Sequence, residues 1–148
     1  MAAAAEAGLL SVTASYEMTL EHIKELCKPV DTELILYGRV PVMLSDHCII
    51  KRSAMRCACS APGRLADGTG AVYPILRAYG CRSMVLSADK LYLADRGGEL
   101  ADCGLWGVRL SFTTEGAREC VEAAKSCLGL SEYRPNGLTR GLYFRGVV

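Results

Sequence analysis

Residues 19–39, TLEHIKELCKPVDTELILYGR, contain the helix-to-strand pattern that decides the predicted fold. Thr19 is a suitable N-cap for a helix over residues 20–27, whose apolar side chains recur along one face. Pro29 then ends the helix, because proline cannot continue the helical hydrogen bonding. The apolar run over residues 32–37 therefore predicts a strand that follows the helix directly.

The same alternation recurs on both sides of this stretch. Upstream, the apolar, β-branched run over residues 9–15 predicts a buried strand. Downstream, residues 106–112 alternate like a strand, and Thr113 or Thr114 can cap a helix over residues 115–128. The apolar stripe of that helix is predicted to consist of Val121, Ala124 and Leu128. Three β–α units in series predict an α/β fold with a parallel sheet and helices outside it.

The chain of 148 residues is too short for a closed (β/α)₈ barrel, which takes about 250 residues. We expect either a small open sheet or part of something larger. Within one domain or fragment the predicted segments are two β–α/β segments (1–44), a cysteine-bearing insertion (45–105), a final β–α unit (106–130) and a tail (131–148). The insertion should be irregular, with short strands at 71–76 and 83–86 and helical pieces from 89 and 99.

Composition limits the function classes. Lys and Arg number 17 and Asp and Glu number 16, so a net charge of +1 does not indicate a basic DNA-binding module. No run of 18 apolar residues predicts a membrane span, and the N-terminus lacks the basic region of a signal peptide. We therefore expect a cytoplasmic protein with no membrane or DNA partner. In that reducing compartment, eight cysteines are not a disulfide framework.

Four cysteines form the main chemical pattern, Cys48-x8-Cys57-x1-Cys59-x21-Cys81. Residues i and i+2 of an extended segment point to the same side, so Cys57 and Cys59 could reach one centre. Four thiolates suit a zinc ion or an iron–sulfur cluster. The spacing matches neither a zinc ribbon nor the common ferredoxin runs, so simple packing of two or three of these thiols stays open.

The other cysteines lie near or within predicted helices. Cys27 and Cys120 are expected to pack as small apolar residues, and Cys127 lies on the same helix as Cys120. Cys103 precedes a predicted strand and is a spare ligand. Both a three-thiol and a four-thiol site therefore stay open.

No catalytic residue can be assigned from a motif. His47 and Cys48 are neighbours in an extended segment and face opposite ways, which disfavours a Cys–His dyad. Arg39 follows the carboxyl end of a predicted parallel strand, where such sheets bind ligands. Arg39 and His47 are therefore the candidate substrate-binding residues, although Arg39 could equally be a surface or ion-pair arginine.

The stretch YGRVPVMLSDHC (37–48) resembles the signature of the collagenase-like peptidase family, U-32, with Asp46 where Glu is usual. Four further patches are similar to family segments and occur in the same order. They are VTASYEMTLEHIKEL (12–26), CRSMVLSADKLYLAD (81–95), VRLSFTTE (108–115) and TRGLYFRGVV (139–148).

The resemblance implies a catalytic domain built on a TIM-like barrel, of which this chain would be the C-terminal part with the last three β–α units. It also implies a [4Fe–4S] cluster bound by Cys48, Cys57, Cys59 and Cys81, although the gap between Cys57 and Cys59 is tighter than in many relatives. The family name implies proteolysis. Better-understood branches imply oxygen-independent hydroxylation of RNA or of quinone precursors.

Three functional hypotheses follow. The first is an iron–sulfur protein related to hydroxylation of RNA or small aromatics. The second is a collagenase-like peptidase acting on a peptide, which needs a nucleophile–base pair or an activated metal-bound water. The third is a zinc-stabilised structural or interaction fragment, because a Cys₄ zinc site is closed.

Two expectations concern partners. The missing barrel strands would leave an apolar edge beside residues 9–15, which predicts a second subunit or a separate N-terminal barrel portion. If RNA is the substrate, that portion or the local cluster of Arg134, Arg140 and Arg145 should hold it.

Overall fold

A computed structural model of the chain describes residues 1–54 and 63–146, with only the backbone of residues 52–54. The chain forms two units. The first comprises Met1–Gly38 and Leu91–Val148, and the second comprises Arg39–Lys90. The second unit is therefore inserted into the sequence of the first.

The described strands are β1 (Ser11–Thr13), β2 (Asp31–Gly38), β3 (Pro41–Ser45), β4 (Gly63–Ala66), β5 (Val72–Arg77), β6 (Ser83–Leu86), β7 (Lys90–Tyr92), β8 (Gly107–Ser111) and β9 (Leu138–Thr139). The described helices are α1 (Ala2–Glu6), α2 (Leu20–Glu25), α3 (Ile49–Ala54), α4 (Gly97–Ala101) and α5 (Ala117–Cys127). Short 3₁₀ turns occupy Tyr79–Cys81 and Ala94–Arg96.

The first unit is built on β2. Strands β1 and β8 both pair with β2 in parallel, and Glu33 is opposite both Thr13 and Gly107. They therefore lie on opposite edges of β2. Strand β7 pairs with the end of β2 in the antiparallel sense, and β9 follows β7. The prediction of an α/β fold is confirmed, but the expected parallel sheet is a mixed sheet, because β7 pairs with β2 in the antiparallel sense. The strands of the described ranges do not close into a barrel.

Gly38 allows a close approach at the end of β2. Its φ of +126° lies in a region that side-chain-bearing residues rarely adopt. A Cβ added at Gly38 would lie 2.0 Å from the carbonyl oxygen of Ser111 in β8. Glycine is therefore required where β2 and β8 meet before the chain enters the second unit.

Helix α2 confirms the predicted cap, since the Thr19 hydroxyl accepts a hydrogen bond from His22 N at 3.2 Å. The helix ends at Glu25, two residues earlier than expected. Cys27 consequently lies beyond the helix and is exposed, so the prediction that it packs is wrong.

The predicted stripe of α5 is also wrong. Val121 is 53% exposed and Leu128 is 73% exposed, whereas Ala123 and Ser126 are buried. Ser126 can face inward because its hydroxyl donates to the carbonyl oxygen of Tyr133 at 2.8 Å. The buried face is thus set by a satisfied polar group as well as by apolar side chains.

The start of α5 differs from the expected cap. Gly116 is the N-cap, and Thr113 and Thr114 instead donate their backbone N–H groups to the Glu115 carboxylate at 2.7 and 2.9 Å. The predicted helical turn from Asp89 is wrong as well. Residues Lys90–Tyr92 form β7, because pairing with β2 overrides the local helix preference.

The second unit contains an antiparallel sheet in the order β3-β6-β5-β4. Ile75 and Val85 face each other across β5 and β6 and are each 2% exposed, which places them in its core. The Cβ that a residue at Gly63 would add lies 2.8 Å from Ile50 Cγ1, so α3 packs closely against β4. Both α3 and β4 are additions to the predicted elements.

No helix in the described ranges is both long enough and apolar enough to span a bilayer.

Candidate functional site

Cys48 and Cys81 lie at the same end of the sheet in the second unit. Ser45 in β3 pairs with Ser83 in β6, and the backbone N–H of Ile49 donates to Ser83 Oγ at 3.0 Å. Cys48 directly precedes Ile49, and Cys81 is two residues before Ser83. The strand register therefore brings together two cysteines that are 33 positions apart in the sequence.

The turn that carries Cys81 has an unusual backbone. Cys81 has φ +62° and is the one non-glycine residue with positive φ in the part of the chain that the structure describes. Gly80 before it has φ +68°, and Ala78 N donates to the carbonyl oxygen of Arg82 at 2.8 Å across the turn. A left-handed non-glycine residue costs free energy and persists only where surrounding contacts impose it. The turn leaves Cys81 exposed.

Cys48 is half-buried, and its sulfur accepts a hydrogen bond from Lys51 N at 3.3 Å. Arg82 and Asp46, the neighbours of this cysteine pair, form an ion pair with 2.8 Å between Arg82 Nε and Asp46 Oδ1. The ion pair joins the segment before Cys48 to the segment after Cys81. Both thiols are thus held on connected backbone at one end of the sheet.

Cys57 and Cys59, the other two predicted ligands, lie outside the described residues. The described positions on either side of them are close together, because Ile50 in α3 contacts Gly63 at the start of β4. Within the described ranges, no group of three or more His, Cys, Asp or Glu side chains is arranged to hold a metal ion. The two described thiols are donors of the kind that zinc and iron–sulfur clusters use.

Arg39 follows β2 as expected, but its guanidinium is engaged with backbone. Nη1 donates to the carbonyl oxygen of Ser87 at 2.6 Å and also to that of Ala88. Arg39 therefore holds the loop between β6 and β7. His47 is exposed, and its backbone N–H donates to Ser45 Oγ at 3.2 Å.

The remaining cysteines of the first unit differ in environment. Cys103 is buried beside α4, with its sulfur 3.4 Å from the carbonyl oxygen of Glu99, and burial raises the pKa of its thiol. Cys127 packs against the cluster of Tyr37, Tyr92 and Ala123, and burial raises its pKa to about 11. These two thiols fit packing and do not fit metal binding, which needs the thiolate.

The predicted arginine cluster is committed to an acidic partner. Arg140 forms a two-point ion pair with Asp95, with distances of 2.6 Å to Oδ1 and 2.8 Å to Oδ2. Arg134 lies 3.6 Å from the same carboxylate. Arg145 is exposed and lines a pocket that also contains Glu21, Glu99 and Asp102.

A tyrosine–carboxylate network at the carboxyl end of β2 was not predicted. Tyr37 OH lies 3.4 Å from Glu119 Oε1 and 3.5 Å from Tyr133 OH, and Tyr133 OH donates to Glu119 Oε1 at 2.7 Å. Burial raises the pKa of Tyr37 well above its ordinary value, with Tyr133 adding to the shift. These residues come from positions up to 96 apart, and no local motif in the sequence connects them.

The amino ends of the three parallel strands surround an open groove of about 460 Å³. Its apolar lining includes Leu9, Leu10 and Trp106, of which Leu10 is 86% and Trp106 is 69% exposed. An exposed apolar stretch at the start of β1 agrees with the expected edge beside residues 9–15. In the described part of the chain, β1 has β2 as its one pairing partner.

Comparison with known proteins identifies no relative, since no protein-family model, curated protein or solved structure matches this chain.

Proposed function

We propose that the second unit binds an iron–sulfur cluster through Cys48, Cys57, Cys59 and Cys81, as the U-32 resemblance implies. The observation that carries the proposal is the meeting of Cys48 and Cys81 at one end of the sheet. The contact between Ile50 and Gly63 adds support, because these described residues precede and follow Cys57 and Cys59 in the sequence.

The strained turn at Cys81 also supports a ligand role. An imposed left-handed backbone at a non-glycine residue is a feature that functional positions share more often than ordinary loops. Here it presents an exposed thiol at the end of the sheet that also holds Cys48. We favour an iron–sulfur cluster over zinc because a cluster fits the family resemblance. A zinc ion in the same site would be a closed structural ion.

The cluster would supply electron-transfer chemistry for oxygen-independent hydroxylation of RNA or of a small aromatic. This chain's own residues would hold the cluster and position the loops around it. Arg39 would act by fixing the carbonyl groups of Ser87 and Ala88, which we propose in place of direct substrate binding. No catalytic base is assigned.

We further propose that the first unit is the C-terminal part of a TIM-like barrel in a cytoplasmic protein. The parallel pairing of β1 and β8 on either side of β2 supports this. A second subunit or an N-terminal barrel portion would then pair with β1 and cover Leu9 and Leu10. An open edge strand presents unpaired backbone groups on which another chain can pair, which favours such a partner.

The peptidase hypothesis has less support. A hydrolytic Cys or Ser needs a base within hydrogen-bond reach. In the described ranges, the hydrogen bonds of His22 and His47 are made by their backbone N–H groups. No observation of the structure favours proteolysis over the iron–sulfur proposal.

The test is the metal content of the whole chain after anaerobic purification. We expect a brown protein with about four iron atoms and a similar amount of acid-labile sulfide per chain. A colourless protein that holds one zinc ion per chain would contradict the proposal and favour a structural zinc site. A protein with neither metal, even after reconstitution with ferrous iron and sulfide, would contradict both.

A further inference from the structure

The two units carry opposite charge, although the whole chain is nearly neutral. The second unit, residues 39–90, contains eight Lys and Arg residues and three Asp and Glu residues, which gives a net charge of +5. The first unit contains nine and thirteen, which gives −4. Of these cations Lys90 is buried and Arg39 is bound to backbone carbonyl groups, so the exposed ones decide whether a surface can bind a polyanion.

Two acidic residues of the second unit are already engaged in contacts of their own. Asp67 accepts hydrogen bonds from its own turn, including Thr69 N at 2.8 Å and Thr69 Oγ1 at 2.6 Å. Asp46 is paired with Arg82. Lys51 and Arg77 are exposed, and no described carboxylate forms an ion pair with either.

The positions of these cations follow from the fold. Arg77 is the last residue of β5 and pairs with Ser83, whose hydroxyl also receives the N–H of Ile49 at the start of α3. Lys51 lies in the first turn of α3. Lys51, Arg77 and Arg82 therefore share one end of the second unit, which we call the basic end.

Tyr79 adds an aromatic surface to the basic end. It lies in the turn between β5 and β6, two residues from Arg77 and three from Arg82, and is 94% exposed. No described side chain forms a hydrogen bond with its hydroxyl or stacks on its ring. A large aromatic ring in this state contributes nothing to a core, but it is a platform on which a nucleotide base can stack.

We propose that the basic end, with Lys51, Arg77 and Tyr79, binds a single-stranded polynucleotide, while Arg82 stays paired with Asp46. The cations contact phosphates, and the Tyr79 ring stacks on one unpaired base. Stacking needs an unpaired base, so this combination favours a single strand over a duplex. The choice of RNA over DNA rests on the proposed function, whereas the binding surface itself rests on charge and exposure.

The first experiment measures fluorescence anisotropy of a labelled single-stranded oligouridylate of about 12 nucleotides with the full chain. Tyr79→Ala should weaken binding about tenfold, because loss of one stacked base is worth about 1–3 kcal/mol. Tyr79→Phe, which keeps the ring, should bind like the unmodified chain.

The second experiment repeats the titration over a range of salt concentrations. Removal of one phosphate contact by Arg77→Ala should reduce the slope of log K against log salt by about 0.7. The matched control is Arg118→Ala, which removes one exposed arginine from α5 in the first unit and should leave the slope unchanged. Equal effects of Arg77→Ala and Arg118→Ala would overturn the proposal.

Further ligands separate the possible sources of the polyanion. Weaker binding of the matching oligodeoxynucleotide supports RNA, and equal binding keeps the surface but removes the preference for RNA. Duplex RNA or phosphatidylserine vesicles binding more tightly than the single strand would overturn the proposal. Iron is assayed on the same preparation, so iron without RNA binding refutes this inference alone, and RNA binding without iron refutes the proposed cluster alone.

Discussion

The two units of this chain place the same residue types in different environments. In the first unit, parallel strands share a core with Leu34 and Leu36, and two cysteines have pKa values raised by burial. In the second unit, the antiparallel sheet leaves Val42 and Leu44 exposed, and its described cysteines lie at a sheet end rich in arginine. Neither the whole-chain charge of +1 nor the total of eight cysteines shows this difference between the units.

The largest effect should come from the junction where the first unit gives way to the second. Gly38→Ala should abolish folding or destabilise the protein by about 3 kcal/mol or more, because the new Cβ would meet the carbonyl oxygen of Ser111 in an unfavourable φ region. Urea unfolding followed by circular dichroism measures this. Gly68→Ala in the second unit is the control, since nothing lies within 4 Å of its added Cβ. Equal tolerance of both substitutions would refute the close approach of β2 and β8.

The second largest effect concerns thiol reactivity. Near pH 8, Cys127 should be alkylated about a hundredfold more slowly than a thiol of ordinary pKa, because a pKa of about 11 lies two units above the ordinary value of 9.0. In chelated, iron-free protein, mass spectrometry should show Cys81 modified before Cys103 and Cys127. Faster alkylation of Cys127 than of Cys81 would contradict the assignment of Cys127 as packed and Cys81 as accessible.

A smaller effect is expected from one buried hydroxyl. Tyr92 OH lies 2.8 Å from Ser126 Oγ and donates to the carbonyl oxygen of Tyr133 at 3.1 Å. Tyr92→Phe should lower the free energy of unfolding by about 1–2 kcal/mol, because Ser126 loses one partner in a buried site. Tyr73→Phe, whose exposed hydroxyl donates to Asp67, should leave it nearly unchanged. Equal losses would show that the two units do not differ in how they bury polar groups.

The smallest effect is a pH dependence in the first unit. The Arg140 guanidinium holds the pKa of Asp95 below its ordinary value of 3.8. The ionised Asp95 therefore stabilises the fold fully above about pH 4, and this contribution is lost as the pH falls through the lowered pKa. Asp95→Asn should destabilise the protein at neutral pH, and the gap from the unmodified chain should close in acid. A gap that stays constant down to about pH 2 would contradict this account.

Some helices and strands could be predicted because local sequence patterns indicate them. Residues 32–37 and 106–112 are apolar runs long enough to indicate strands, and Thr19 is placed to cap α2. The buried face of α5 could not be predicted from such patterns. Apolar counting favours Val121 and Leu128, whereas the structure buries Ser126 by satisfying its hydroxyl with Tyr133.

The candidate site was predictable in its residue types but not in its geometry. Spacing and resemblance selected Cys48 and Cys81, but their meeting depends on the register of β3 against β6. The basic end depends on the same register and on the position of α3. No N-cap residue and no apolar periodicity in the sequence predicted that helix. The opposite charges of the two units become apparent only when the chain is divided at Arg39 and Lys90.

The most direct test of the central claim compares two exposed cysteines, one from each unit. After anaerobic reconstitution with iron and sulfide, Cys81→Ser should lose most of the visible absorption of an iron–sulfur cluster, because one thiolate ligand is missing. Cys27→Ser, which removes an exposed thiol from the first unit, should retain it. Equal absorption in both variants, or equal loss, would contradict a cluster held by the second unit.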